Sequence, residues 1–100
     1  QKRKSDKRKF TWIQSSITKK TDSELDTLGV RSWPMWTCEV SEFPWEYEEK
    51  ETCLLLEGDV EVNTEEETVR FGVGDFVVFP KGLKCTWKVM KSVRKHYNFG

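Results

Sequence analysis

Residues 51–85 read ETCLLLEGDVEVNTEEETVRFGVGDFVVFPKGLKC. Apolar, β-branched and aromatic runs alternate there with Gly58, Gly72, Gly74, Pro80 and Gly82. Short runs of that composition between Gly/Pro punctuation specify antiparallel strands. The expected strands are Thr52–Glu57, Asp59–Thr64, Glu67–Phe71 and Asp75–Phe79, with a charged hairpin loop at Asn63–Glu67. Such a series closes into an all-β barrel with an interior able to hold a site.

Outward from this stretch, Gly82 precedes a strand at Lys84–Met90 in which Cys85, Trp87 and Val89 share a face, and Val93–Phe99 is a closing strand. Upstream, Thr37–Phe43 reads as a strand, and Trp45 and Tyr47 fall on one face. Thr21-Asp22-Ser23-Glu24 is a capping box, in which the Thr hydroxyl and Glu carboxylate satisfy free helix amides reciprocally. With Leu25 and Leu28 following and Gly29 as the left-handed terminator, one short helix is expected at about residues 22–28. Phe10–Ile13 has strand character that Ser15–Thr18 continues. Residues 1–9, QKRKSDKRK, offer nothing apolar to bury and read as a flexible basic arm, leaving 10–100 as one domain.

With 100 residues, 36% of them apolar and five Trp, the chain has material for one compact core. Lys plus Arg balance Asp plus Glu at 17 each, so no net field draws the chain to nucleic acid or membrane. The charges nevertheless fall in blocks. Residues 1–9 carry six basic groups, residues 39–67 twelve acids with Lys50, and residues 81–95 six basic groups and no acid. That pattern reads as an acidic and a basic flank, either solvated or used for docking. Three cysteines without a CxxC pair do not form a secreted disulfide framework and point to a reducing compartment. No apolar run approaches the ~18 residues of a spanning helix. The chain opens on Gln, which reads as an upstream segment having been removed or left out.

Two spacings carry a family resemblance. Gly74, five residues, Pro80-Lys81-Gly82, two residues and Cys85 resemble the second cupin motif, G-x5-P-x-G-x2-H. Trp45-Glu46-Tyr47, three residues, Glu51, six residues and Gly58 resemble the first, H-x-H-x3-E-x6-G. The glycines, proline and glutamate fit, whereas the three histidine positions hold Trp45, Tyr47 and Cys85. The phrases SEFPWEYEEKETCLLLEG, GDFVVFPKGLKCTW and VRKHYNF extend the resemblance from Leu28 to Phe99. They are similar to the single-domain (RmlC-like) cupins grouped with the cupin domain of ureidoglycine aminohydrolase, among them the cupins of the plastid transcriptionally active chromosome. The resemblance implies a jelly-roll barrel.

In cupin enzymes these four positions hold Mn, Fe, Ni or Zn. Here Trp45 has no free lone pair, Tyr47 would have to lose a proton with an ordinary pKa near ~10, Glu51 is a hard ligand and Cys85 a soft one. No metal or other cofactor is therefore expected. Trp45, Tyr47, Cys85 and Trp87 are expected to fill the barrel, with Glu51 partly buried and paired to the Tyr47 hydroxyl, because an isolated buried carboxylate is costly. Cys53, Phe79, Trp87 and His96 are further pocket-lining candidates, though His96 and the thiols Cys38 and Cys53 also read as plain structural residues.

The resemblance implies a non-catalytic accessory subunit of the plastid-encoded RNA polymerase, located in the chloroplast nucleoid. The arm's Lys2, Arg3, Lys4, Lys7, Arg8 and Lys9 would add weak, salt-sensitive contact with nucleic acid. The alternatives are a metal-dependent aminohydrolase acting on a ureido compound, with Glu51 as acid/base, and a metal-free small-molecule-binding cupin.

Overall fold

The structure, a computed structural model, describes residues 15–100. The basic arm and the strand expected at Phe10–Ile13 lie outside the described residues. Within them the order is β1 (Ser16–Lys19), α1 (Asp22–Leu28), β2 (Met35–Cys38), β3 (Ser41–Glu46), β4 (Glu51–Asn63), β5 (Thr68–Gly72), β6 (Asp75–Phe79) and β7 (Lys84–Phe99). All pairings are antiparallel.

Two long strands form the spine. β4 and β7 pair from Glu51 opposite Phe99 to Asn63 opposite Thr86. The other edge of β4 takes β6 along Glu51–Leu54 and β5 along Asp59–Asn63. The other edge of β7 takes β3 along Lys84–Val89 and β2 along Val93–His96. β1 extends β6. The spine thus carries two half-sheets, one at each end, which share an interior.

The joint between the halves lies at Gly58. Sequence punctuation suggests two strands meeting there, and two more meeting near Met90; the structure instead runs each pair as one continuous strand. Cys53 and Leu55 face the core, and so do Val60 and Val62, although the first two are odd-numbered and the last two even. A regular strand cannot do this, because side chains alternate faces with period two. Register shifts between Leu55 and Val60 supply the change of phase, as a β-bulge does. Gly58 sits there at φ 115°, and a Cβ on it would lie 2.8 Å from the Ser92 carbonyl oxygen and 2.9 Å from Val93 Cα. Only glycine fits.

The expected strand Thr37–Phe43 is likewise corrected: it is broken at Glu39–Val40 into β2 and β3. The physical reason is that β2 and β3 pair with different ends of β7, so the chain must step past residues 90–92. Pro44, which has no amide hydrogen to donate, is tolerated because, among the described residues, β3 pairs with β7 alone.

The main core gathers Tyr47, Phe71, Phe79 and Trp87 with Val60, Val62, Val77 and Leu55. Tyr47 stacks on Phe79 at 4.8 Å, and Phe71 meets Trp87 edge-on at 5.7 Å. A smaller cluster forms on the outer face, where Leu54 and Phe76 receive Leu25 of α1 and Val30. Alternation along β4 and β6 feeds both clusters: Cys53 and Val77 inward, Leu54 and Phe76 outward. Helix α1 starts and stops where the capping box predicts. Thr21 Oγ1 accepts from Glu24 N at 3.1 Å, the Glu24 carboxylate accepts from Thr21 N at 2.8 Å, and Gly29 closes the end at φ 71°.

Among the described residues, the acidic block 39–67 and the basic block 81–95 do not form separate flanks. Antiparallel pairing places Lys84 opposite Glu46, Lys88 opposite both Glu42 and Glu61, Lys91 opposite Asp59, and Arg94 opposite Glu57. Of these neighbours Arg94 and Glu57 form an ion pair at 3.4 Å, a modest stabilisation at exposed positions.

Candidate functional site

Beside the main core the barrel opens to a cavity of about 220 Å³ lined by Trp36, Phe43, Trp45, Tyr47, Glu51, Trp87, Lys95, Tyr97 and Phe99. A wider cleft of about 650 Å³ adjoins it, shares Trp45, Tyr47 and Phe99, and is edged by Glu46, Glu48, Glu49, Lys84 and Cys85. β3 and β7 supply most of the inner lining. On β7, Trp87, Lys95, Tyr97 and Phe99 are spaced by even numbers and so project to one face.

The polar centre is an ion pair. Lys95 Nζ donates to Glu51 Oε2 at 2.7 Å, and the two side chains are only 6% and 5% exposed. The same ammonium lies 4.8 Å from the ring centroid of Trp36 and 4.6 Å from that of Trp87. Ring faces and a carboxylate are the partners a desolvated cation requires. Next to the pair, Trp87 Nε1 donates to the Tyr47 hydroxyl at 2.9 Å. Burial first, then the Glu51 carboxylate and Cys85, push the Tyr47 phenol far above its ordinary pKa, with the Trp87 bond acting weakly against them. Burial and the same carboxylate push the Cys85 thiol up to about 11.

Several expectations are corrected by this geometry. Glu51 is buried, but its partner is Lys95; the Tyr47 hydroxyl is engaged by Trp87. Trp45 does not fill the barrel: it stands at the mouth, 47% exposed, edge-on to Tyr47. Cys85, by contrast, is buried in the main core and also edges the outer cleft. Cys53 and Phe79 lie in the core beneath the site and line neither cavity. His96 also lines neither. Its neighbour Lys95 points inward, and its own ring meets the Trp33 carbonyl oxygen at 3.0 Å through Nδ1. Cys38 packs against the edge of the core and is partly exposed. Of the eight candidates, Trp45, Tyr47, Glu51 and Trp87 meet around one cavity.

Sequence reasoning missed Lys95, Trp36, Phe43, Tyr97 and Phe99. The signal for Lys95 was there. It shares the parity of Cys85, Trp87, Val89 and Val93, so an inward-facing lysine follows once β7 is read as a single strand.

The four cupin ligand positions do not fit a metal. Trp45 offers no lone pair, the Tyr47 phenol is held protonated, Glu51 is bound to an ammonium, and the Cys85 thiol is disfavoured as thiolate. Among the described residues, no three His, Cys, Asp or Glu side chains are grouped so as to hold an ion.

Residues 25–97 match the EutQ-like cupin domain. The chain belongs to this family. A DUF861 family protein from Thermotoga maritima (TM1112) is 51% identical to this EutQ-like cupin, with a TM-score of 0.85 over 87% of the present chain and 100% of its own. A putative ethanolamine utilization protein Q from Salmonella typhimurium is 31% identical, with a TM-score of 0.60 over 65% of this chain and 53% of its own. EutQ of Clostridium difficile, at 22% identity and a TM-score of 0.60, shares the fold. The cupin spans about half the length of these two EutQ proteins. No curated protein matches it.

Proposed function

We propose that this EutQ-like cupin is a non-catalytic barrel that binds a small organic molecule at its mouth without a metal. One observation carries the reading: a fully paired, buried Glu51–Lys95 couple faces an aromatic cavity. Desolvating two charges costs several kcal/mol per ion, of order, and apolar residues would stabilise the barrel as well or better. Such a couple is explained by recognition, since binding sites are apolar hollows with a few fixed polar groups. The hydrolase alternative is weaker. It needs Glu51 free to move protons, and that carboxylate is bound to an ammonium.

The test is a thermal-shift screen of untagged protein against a broad metabolite set, with metal analysis of the same preparation. A ligand that raises the melting temperature, with no stoichiometric metal, supports the proposal. One equivalent of Mn, Fe or Zn overturns it.

A second reading keeps the barrel as an accessory subunit of the plastid-encoded RNA polymerase in the chloroplast nucleoid, with its basic arm near nucleic acid. What favours it is apolar surface left open, namely Val40, Val73 and Trp45 at 66%, 63% and 47% exposure. Co-purification of polymerase subunits from plastids in stoichiometric yield supports that reading, and recovery of the protein alone counts against it.

A further inference from the structure

The polar pair and its surroundings also constrain what the cavity takes. We infer that the ligand is a flat, net-neutral aromatic amide or lactam, presenting an N–H donor and a carbonyl acceptor on one functional group. This rests on the reading of the mouth as a binding site and specifies its chemistry.

Three observations lead there. First, Glu51 and Lys95 cancel, so the inner cavity is neutral but strongly polar at one point. A ligand with net charge would be buried beside a couple that already has its counter-charge, and an unpaired buried charge is the costliest group to desolvate. The acceptor and the donor are one hydrogen bond apart, 2.7 Å, so a single group reaches both. An amide matches them: its N–H donates to the carboxylate and its carbonyl accepts from the ammonium, which retains two further N–H bonds. Second, the walls are rings. Trp36 meets Trp87 edge-on at 5.9 Å, and Phe43 lies parallel to Trp87 at 6.2 Å, with Tyr97 and Phe99 completing the lining. Aromatic faces at these angles receive a flat ring in stacked or edge-to-face contact. At about 220 Å³, the cavity is smaller than the pockets that enclose drug-sized ligands.

Third, the approach is acidic. Glu46, Glu48 and Glu49 edge the outer cleft against Lys84, so an anionic ligand meets repulsion before it reaches Lys95. A cationic ligand passes that rim but meets the Lys95 ammonium, which already lies beside the faces of Trp36 and Trp87. Charge of either sign is disfavoured, at different depths.

Benzamide, benzoate and benzylamine test this, because they differ mainly in the charge and polarity of one substituent. Binding to the full chain is followed by calorimetry and by tryptophan fluorescence. Benzamide is expected to bind, and each charged analogue at least about tenfold more weakly. Glu51→Gln removes the negative partner and is expected to shift preference toward benzoate, while Lys95→Gln shifts it toward benzylamine. Because either change can unfold the barrel, the double variant Glu51→Gln/Lys95→Gln keeps a neutral donor–acceptor couple and is expected to retain the order of the wild type. Equal or tighter binding of benzoate or benzylamine by the wild type overturns the inference. If none of the three binds while another metabolite raises the melting temperature, the ligand class is wrong and the binding function stands. If nothing binds in either experiment, both fail.

Discussion

Replacing Lys95 by Met is the perturbation whose outcome follows most directly from the site. It removes the ammonium 2.7 Å from Glu51 and leaves a carboxylate whose side chain is 5% exposed without its partner. Breaking one half of a buried pair costs about 3–5 kcal/mol. Loss of two cation–π contacts adds about 0.5–2 kcal/mol each, partly returned by sulfur–ring contact from the new methionine. A domain of this size holds about 5–15 kcal/mol in total. Taking the lower bound of about 3 kcal/mol, with about 4–8 °C lost per kcal/mol, the melting temperature falls by about 12–24 °C.

Urea unfolding followed by tryptophan fluorescence measures this, with a shifted midpoint and an unchanged slope. The double variant Glu51→Leu/Lys95→Met is expected to be about as stable as the wild type or up to about 4 kcal/mol more so, since apolar replacement of a whole buried pair is neutral or favourable. A loss under about 1 kcal/mol for Lys95→Met, or a double variant weaker than either single one, would refute the picture of a desolvated, mutually dependent pair.

Four further outcomes are expected. Tyr47→Phe strands the buried Trp87 Nε1 donor and costs about 1–3 kcal/mol in the same urea assay; an unchanged midpoint counts against the 2.9 Å hydrogen bond. Gly58→Ala puts a Cβ against Ser92 and Val93 at φ 115° and costs about 3 kcal/mol, whereas Gly82→Ala, with no atom within 4 Å but a positive φ of 89°, costs less. Burial pushes the Cys53 thiol up to about 12, with Lys95 opposing and Glu51 adding to the shift. Native protein at about pH 8 should therefore be alkylated at the part-exposed Cys38 well before Cys53, as peptide mapping will show. The raised value also makes stability fall as pH climbs from the unfolded thiol value near 9 toward 12, because the folded state keeps a proton that the unfolded state has lost; Cys53→Ala should flatten that decline.

The sequence announced the barrel through local signals, and the structure shows which of them were sufficient. The capping box at Thr21–Glu24 and the left-handed Gly29 gave α1 both its ends, because a cap depends on residues only a few positions apart. The hairpin at Asn63–Glu67 was legible for the same reason: Thr64 closes it by accepting from the Glu66 and Glu67 amides. Gly58 misled. A glycine at a strand end and a glycine in a bulge have the same local composition, and the β4–β7 register is what separates them. At the site, motif spacing brought out Tyr47 and Glu51, since both lie within the first motif. Lys95 lies outside both motifs, 44 residues beyond its partner. Sequence parity along β7 placed it inward, but lysine is so seldom buried that its composition argued for the surface. The segregated charges were legible as blocks and not as ladders, because only the strand pairing decides which block faces which.

The dependence of the fold on β7 has a kinetic consequence. β2, β3 and β4 all pair with residues 84–99, so until that stretch has been synthesised they lack a shared partner. β4 can already pair with β5 and β6, but β2 and β3 stay open until β7 emerges while carrying Trp36, Phe43 and Trp45. Pairing Glu51 with Phe99 also joins residues far apart in the sequence, the pattern of slow, high-contact-order folding. Emerging chains of this barrel are therefore expected to need shielding from one another until β7 is in place, and the arrival of β7, rather than gradual growth of a core, to complete folding.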